Sequence, residues 1–279
     1  MVKLSAIQLN SKPDVEQNVR TIAQQLAKLT LLENNEEIEH IVVLPECCLF
    51  FGANDKAQLS LAQQSKNNNE LQLALSQLAK HYKVTLIGGT IPIITEGGNK
   101  FTNTSCAFNS CGELITRYDK IHLFDVNVAD SEKTYCESRY TQAGNKACIA
   151  KTSLANIGLS VCFDVRFPLL YQKLSELGAD IITVPSAFTR VTGKAHWQTL
   201  LQARAIENQV YIIAAGQEGM HANGRETWGH SMIISPWGEI LACLEQGEGI
   251  ITSDFIPLEI QRIRTSMPLI PTEIMNNSH

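Results

Sequence analysis

Charge is sparse in this sequence: Lys, Arg, Asp and Glu make up only 18% of its 279 residues and sum to a net −5. No basic field therefore exists to draw the chain to nucleic acid or to an anionic membrane. No apolar run approaches the ~20 residues that a bilayer-spanning helix requires. There is no Cys-x-x-Cys, and no two histidines stand four residues apart, which removes the usual frames of a zinc site. The opening Met1-Val2-Lys3-Leu4 runs straight into strand-like sequence without the charged and apolar regions of a secretory signal. No Ser/Gly-rich linker divides the chain. These absences lead us to expect a cytoplasmic protein with a small-molecule substrate, no nucleic-acid or membrane partner and no metal.

Hydrophobic residues make up 44% of the chain, ample for a large core. Eight cysteines are scattered through a chain too large to need disulfide staples, and several lie in apolar runs where a reduced thiol packs as a small core residue. Residues 2–9 read as a strand, and Asp14 with Gln17 three positions on resembles a capping box. Val15, Val19, Ile22, Leu26 and Leu29 then recur at helical spacing. Ile41 to Leu44 is a short apolar run of the kind buried on both faces, stopped by Pro45. A second helix carries Leu71, Leu75, Leu78 and Tyr82, a strand follows at 84–87, and 101–118 reads as a hairpin. The second half replays the order. A strand runs over 157–161, a helix from Pro168 to Gly178, a strand over 181–184 ending in Pro185, a long helix over about 194–208, and strands follow at 210–215, 229–235, 240–244 and 249–253. We read residues 1–270 as one domain in which helices cover two packed β-sheets, with a weak internal duplication and a short tail at 271–279. The alternation alone equally allows a doubly wound parallel sheet.

Chemistry concentrates at three strand or hairpin ends, where an α/β scaffold presents reactive groups. Cys162 ends a strand just before helical sequence, where partial positive charge favours a thiolate and free amides can bind an oxyanion; it can equally be a buried strand cysteine. Glu46 directly follows four apolar residues, and partial burial would raise its pKa and suit it to move protons; it can equally turn to solvent. Lys120 closes the hairpin, where most lysines are solvated charges. A Cys-His hydrolase using His196 or His230, and a silent binding protein, also remain open at this level.

Together the segments are more specific. Pro45-Glu46, Tyr118-Asp119-Lys120-Ile121-His122-Leu123 and Val161-Cys162-Phe163-Asp164-Val165-Arg166-Phe167-Pro168 resemble, in order, the three signature blocks of the nitrilase superfamily, the carbon–nitrogen hydrolases. The resemblance extends through Pro185-Ser186-Ala187-Phe188, Gly229-His230-Ser231 and Pro236-Trp237-Gly238. It implies an α/β fold, a four-layer αββα sandwich, usually paired into a homodimer. It further implies a Glu46-Lys120-Cys162 triad that hydrolyses amides through a thioester without metal or organic cofactor, and a supporting Glu137 that orients Lys120. Cys136-Glu137-Ser138, Ser186-Ala187-Phe188 and His230-Ser231-Met232 are most similar to the Nit-type branch acting on deaminated glutathione, rather than to ω-amidases of 2-oxoglutaramate. Arg166, four residues past the nucleophile, corresponds to an arginine that relatives use to hold a substrate carboxylate. Phe163 stands where many relatives carry Tyr.

Overall fold

The computed structural model describes residues 1–32, 38–66, 69–128 and 134–269; the expected tail at 271–279 lies outside them. Three parallel strands, β1 (Val2–Gln8), β2 (Glu39–Val43) and β3 (Thr85–Ile87), begin the first sheet. An antiparallel flank follows with β4 (Ile91–Ile94), β5 (Phe101–Phe108) and β6 (Leu114–Asp119), β5 lying against β3 and pairing with both others. A two-stranded ribbon, β7 (Asp125–Asn127) and β8 (Thr134–Cys136), leads to the second half.

The second sheet repeats that plan. After β9 (Cys148–Lys151), the strands β10 (Asn156–Leu159), β11 (Ile181–Ser186) and β12 (Tyr211–Gly216) run parallel, with β9 antiparallel on the β10 edge. A ribbon of β13 (Glu218–Met220) and β14 (Glu226–Trp228) precedes β15 (Ser231–Ile234) and β16 (Ile240–Leu244), which extend the sheet antiparallel beyond β12. Finally β17 (Gly249–Asp254) returns to the first sheet and pairs antiparallel with β1.

Burial explains the layering. Period-two alternation sends Ile41 and Val43 of β2 into the cluster shared with Ile213 and Ile233 of the other sheet, while Val42 and Leu44 face the helices. Those helices are α1 (Val15–Leu32) and α3 (Glu70–Tyr82), whose Ile22, Leu26, Leu71 and Leu75 cover the first sheet; α2 (Asp55–Gln64) lies beside β4. On the far side α4 (Pro168–Glu176) and α5 (Arg190–Asn208) cover the second sheet through Tyr171, Leu174, Trp197 and Leu201, and α6 (Pro257–Ser266) adds Ile260. The architecture is αββα, and the doubly wound alternative is set aside. Among the described residues no helix is long and apolar enough to cross a membrane.

Some boundaries differ from the sequence reading. The β11 strand continues through Pro185, which pairs with Ala215. Pairing with β10 stops at Thr183, so on that side no ladder bond is lost to the missing proline N–H. The α5 helix begins four residues before the expected 194, because Thr189 caps it through the Thr192 amide. The β10 strand ends at Leu159, and Ser160 and Val161 run on outside the ladder toward Cys162.

Candidate active site

The carboxyl ends of parallel strands supply two of the expected residues, and the end of β6 supplies a third. Glu46 follows β2, Cys162 follows β10 and Lys120 follows β6. All three are buried and line one cavity of about 440 Å³. Close backbone approach fixes two of these segments. A Cβ on Gly89, whose φ is +57°, would stand 2.0 Å from the Pro45 carbonyl oxygen, and one on Gly144 would stand 2.1 Å from that of Asp119. Only glycine allows the neighbouring loops to lie against the residues preceding Glu46 and Lys120.

Lys120 is clasped by two carboxylates. Its Nζ donates to Glu46 Oε1 at 2.9 Å and to Glu137 Oε2 at 2.8 Å. Asn103 of β5 donates from Nδ2 to the same two groups, at 2.9 Å to Glu46 Oε1 and 3.2 Å to Glu137 Oε1. The second Glu46 oxygen accepts from the Ala187 amide at 3.0 Å, and the Glu46 carbonyl accepts from Gln217 Nε2 at 2.9 Å. Glu137 also accepts from the Phe124 amide. The Glu46 carboxylate therefore has little rotational freedom.

Cys162 opens a short 3₁₀ helix, Cys162–Arg166, with φ at +49°. A non-glycine residue in the left-handed region stores strain of about 1–3 kcal/mol and persists only where its surroundings hold it. Asp164 does much of the holding: it accepts from the Val161 and His122 amides, from His122 Nδ1 and from the Tyr118 hydroxyl. Arg204 Nε further binds the Val165 carbonyl. The Cys162 thiol shares the cavity with the Glu46 carboxylate and Ala187, close enough to feel the Glu46 and Lys120 charges.

The protonation pattern corrects two expectations. Burial does push the Glu46 carboxyl up, but the Lys120 charge, the Lys120 hydrogen bond and the Cys162 thiol outweigh it, so the group is held below its ordinary value. It is an ionised carboxylate rather than one drawn toward neutrality. Burial and the adjacent Glu46 charge push the Cys162 thiol up, with Lys120 only partly opposing them. The resting pair is a thiol beside a carboxylate base, not a free thiolate. Burial alone would lower Lys120, yet Glu137 and Glu46 hold it well above its usual value, so it stays charged.

Other expected residues are placed less simply. Glu137 lies in contact with Lys120 as the resemblance implied. Arg166 is not among the residues lining the cavity: its guanidinium contacts His196 Nδ1 at 3.3 Å and lies 5.8 and 5.4 Å from the rings of Phe163 and Phe188. No Arg166–Asp164 pair forms, because the donors named above take up the Asp164 oxygens. His196 and His230 also lie off the cavity wall, so the Cys-His alternative has no base at the thiol. Cys47 lines the cavity and Cys48 is buried, its thiol donating to the Gly88 carbonyl and pushed up to about 12 by burial. Sequence reasoning missed Asn103, Gln217, the Ala187 amide and Arg225. For Asn103 a signal existed, since an amide side chain inside a strand needs a partner.

An αββα sandwich with a thiol, a carboxylate and an ammonium converging on one cavity defines a class of thiol-dependent hydrolases. The chain belongs to the carbon–nitrogen hydrolase family, whose model matches residues 3–265, and it is an amidase of the nitrilase superfamily. It is 41% identical over 267 residues to the deaminated glutathione amidase of Synechocystis sp. (strain PCC 6803), covering 95% of each chain. Among solved structures it resembles Saccharomyces cerevisiae Nit3, with a TM-score of 0.83 and 31% identity over 97% of this chain and 95% of that one. The C. elegans NitFhit protein gives a TM-score of 0.86 and 32% identity; the match covers 95% of this chain and 63% of NitFhit.

Proposed function

We propose that the chain hydrolyses deaminated glutathione to 2-oxoglutarate and cysteinylglycine, with Cys162 as nucleophile, Glu46 as general base and acid, Lys120 as oxyanion cation and Glu137 as the group that orients it. The observation that carries this reading is the Glu46 carboxylate bonded to the Lys120 ammonium in the cavity that also holds the Cys162 thiol. Glu46 takes the thiol proton as sulfur attacks the amide carbon, and the oxyanion is met by Lys120 and a backbone N–H near Cys162. Protonated Glu46 gives its proton to the departing amine. The thioester then accepts a water that Glu46 deprotonates, releasing the acid and restoring the thiol. The substrate assignment draws on the relatives' names and on the Cys136-Glu137-Ser138 and His230-Ser231-Met232 patterns. A homodimer acting in the cytoplasm belongs to the same reading and rests on the family resemblance.

The test is product release, followed by mass spectrometry, from deaminated glutathione, 2-oxoglutaramate, 2-oxosuccinamate, simple nitriles and N-carbamoyl amino acids. Deaminated glutathione should give the highest kcat/KM. A clear preference for 2-oxoglutaramate would make the chain an ω-amidase, and turnover surviving Cys162→Ser would overturn the mechanism.

A further inference from the structure

Arg225 stands in the turn between β13 and β14, a turn closed by the Arg225 carbonyl accepting from the His221 amide. His221 is itself buried, bonded to Thr227 and the Ser11 carbonyl and set edge-on to Phe51. From this anchored turn the Arg225 guanidinium reaches the cavity wall, with its central carbon 5.3 Å from the Phe51 ring and 5.0 Å from the Tyr135 ring. One terminal nitrogen donates to the Ala187 carbonyl at 3.0 Å. Nε is enclosed and makes no hydrogen bond, and among the described residues no carboxylate pairs with this cation.

Aromatic rings and one carbonyl orient a guanidinium without neutralising it. A planar fork so held is preorganised for a carboxylate. The other cavity charges sharpen the point. Lys120 is committed to Glu46 and Glu137, Arg166 is held by His196 and lies against the Phe163 and Phe188 rings, and Arg139, also lining the cavity, is exposed. Arg225 is also bonded to Ala187, whose amide holds Glu46 and which lines the same cavity as Cys162. A carboxylate bound there lies a short arm from the carbon under attack. The acyl part stays on sulfur after the amine has left, so its anchor belongs on this inner, half-buried cation rather than at the exposed Arg139.

We infer that Arg225 is the specificity residue that binds the carboxylate of the substrate's acyl arm, selecting 2-oxo-acid amides and related carboxylated amides over neutral ones. The inference rests on the proposed amidase chemistry but not on deaminated glutathione being the substrate.

The test compares wild type, Arg225→Gln, Arg225→Lys and Arg166→Gln on three amides. These are 2-oxoglutaramate, with a carboxylate on the acyl arm only; butyryl-cysteinylglycine, with one on the leaving group only; and butyramide, with none. Arg225→Gln should lose about 30-fold or more in kcat/KM on 2-oxoglutaramate, mainly through KM, and at least about tenfold less than that on the other two, whose shared loss reads the effect of Arg225 on Ala187 and Glu46. Arg225→Lys should recover part of the loss. Equal loss on all three amides, loss confined to butyryl-cysteinylglycine, or selective loss in Arg166→Gln instead would each overturn the assignment. Calorimetry of 2-oxoglutarate binding to the Cys162→Ser protein gives a readout independent of turnover. Binding should be seen and should weaken at least as much with Arg225→Gln; absence of binding, or binding indifferent to Arg225, overturns it. Failure of wild type on deaminated glutathione alone, with the Arg225 pattern intact, would remove the proposed substrate and leave this inference standing.

Discussion

The Tyr118 hydroxyl donates to Asp164 Oδ2 at 2.7 Å, joining the strand that ends at Lys120 to the turn that carries Cys162. Both side chains are buried. Burial and the Asp164 charge push the Tyr118 hydroxyl far up, so it remains a donor at any working pH. The cation and the nucleophile therefore share one rigid mount, since Asp164 also binds the Val161 and His122 amides.

Tyr118→Phe removes that donor and leaves the carboxylate buried with one bond fewer. Urea unfolding should show a loss of about 1.5–3 kcal/mol, in the range for a hydrogen bond to a charged group. The rate constant should fall as well, because the 118–122 and 161–164 segments lose their tie. A stability loss with unchanged kcat would show that the mount does not set the site's geometry.

Cys162→Ala and Cys162→Ser should abolish turnover and leave unfolding near wild type, since neither opens a large cavity. Peptide mapping of the wild-type enzyme trapped with a slow amide should find the acyl adduct on Cys162. Cys48, Cys111 and Cys243 should stay unmodified by substrate, and substitution of any of them by Ala should preserve activity. An adduct on another cysteine would relocate the chemistry.

For pH, the sign follows from the two shifts. Glu46 works as the carboxylate and is held below its ordinary value of 4.5, so kcat/KM should stay flat from neutrality down to about that pH and fall only below it. Its contribution to stability is present above 4.5 and is lost as pH falls through the lower folded value. Lys120, held above 10.5, contributes fully below 10.5 and loses its share as pH rises past its folded value. An acid limb centred near pH 6 would contradict this arrangement.

Lys120→Met removes the cation that opposes burial at Glu46. The acid limb of the residual activity should move up, and kcat should drop by about a hundredfold or more for loss of one oxyanion donor. Lys120→Arg should restore little, because a planar fork cannot fill the place of a compact ammonium between two carboxylates. A lowered rate with an unmoved acid limb would mean that Lys120 does not tune Glu46.

Gly144→Ala drives a methyl group into the Asp119 carbonyl, so the backbone that carries Lys120 must shift. Overpacking of this kind costs about 1–3 kcal/mol. The informative readout is whether kcat falls further than stability alone explains at a temperature where the variant is fully folded.

The sequence made the residue types of the site legible, but not their electrical state. Glu46, Lys120 and Cys162 each sit beside a recognisable strand end or hairpin. Whether Glu46 is raised or lowered depends on a lysine 74 residues away that is itself held by Glu137, a contact no local pattern encodes. Arg225 stayed hidden because its turn joins two three-residue strands too short to show a period. Among fold elements, α1 and α3 were visible through helical spacing of Leu and Ile, and β2 through its unbroken apolar run. The choice between one doubly wound sheet and two stacked ones was not visible. It turns on β3 pairing with β5 rather than with β10, and both β3 and β10 are short strands with three consecutive buried residues.

The pairing of β17 with β1 has a consequence for how the molecule comes into being. Ser5 and Thr252, 247 residues apart in sequence, are hydrogen-bonded neighbours, and Gln217 reaches 171 residues back to hold the Glu46 carbonyl. Contacts this distant along a chain are slow to form, because loop closure must precede any reward from pairing. During synthesis the nascent chain carries base, cation and nucleophile well before β17 emerges, yet β1 then lies as an unpaired sheet edge, open to association with other chains. Competence for chemistry should thus arrive late and all at once, and the interval before it is when the molecule most needs shielding from its neighbours.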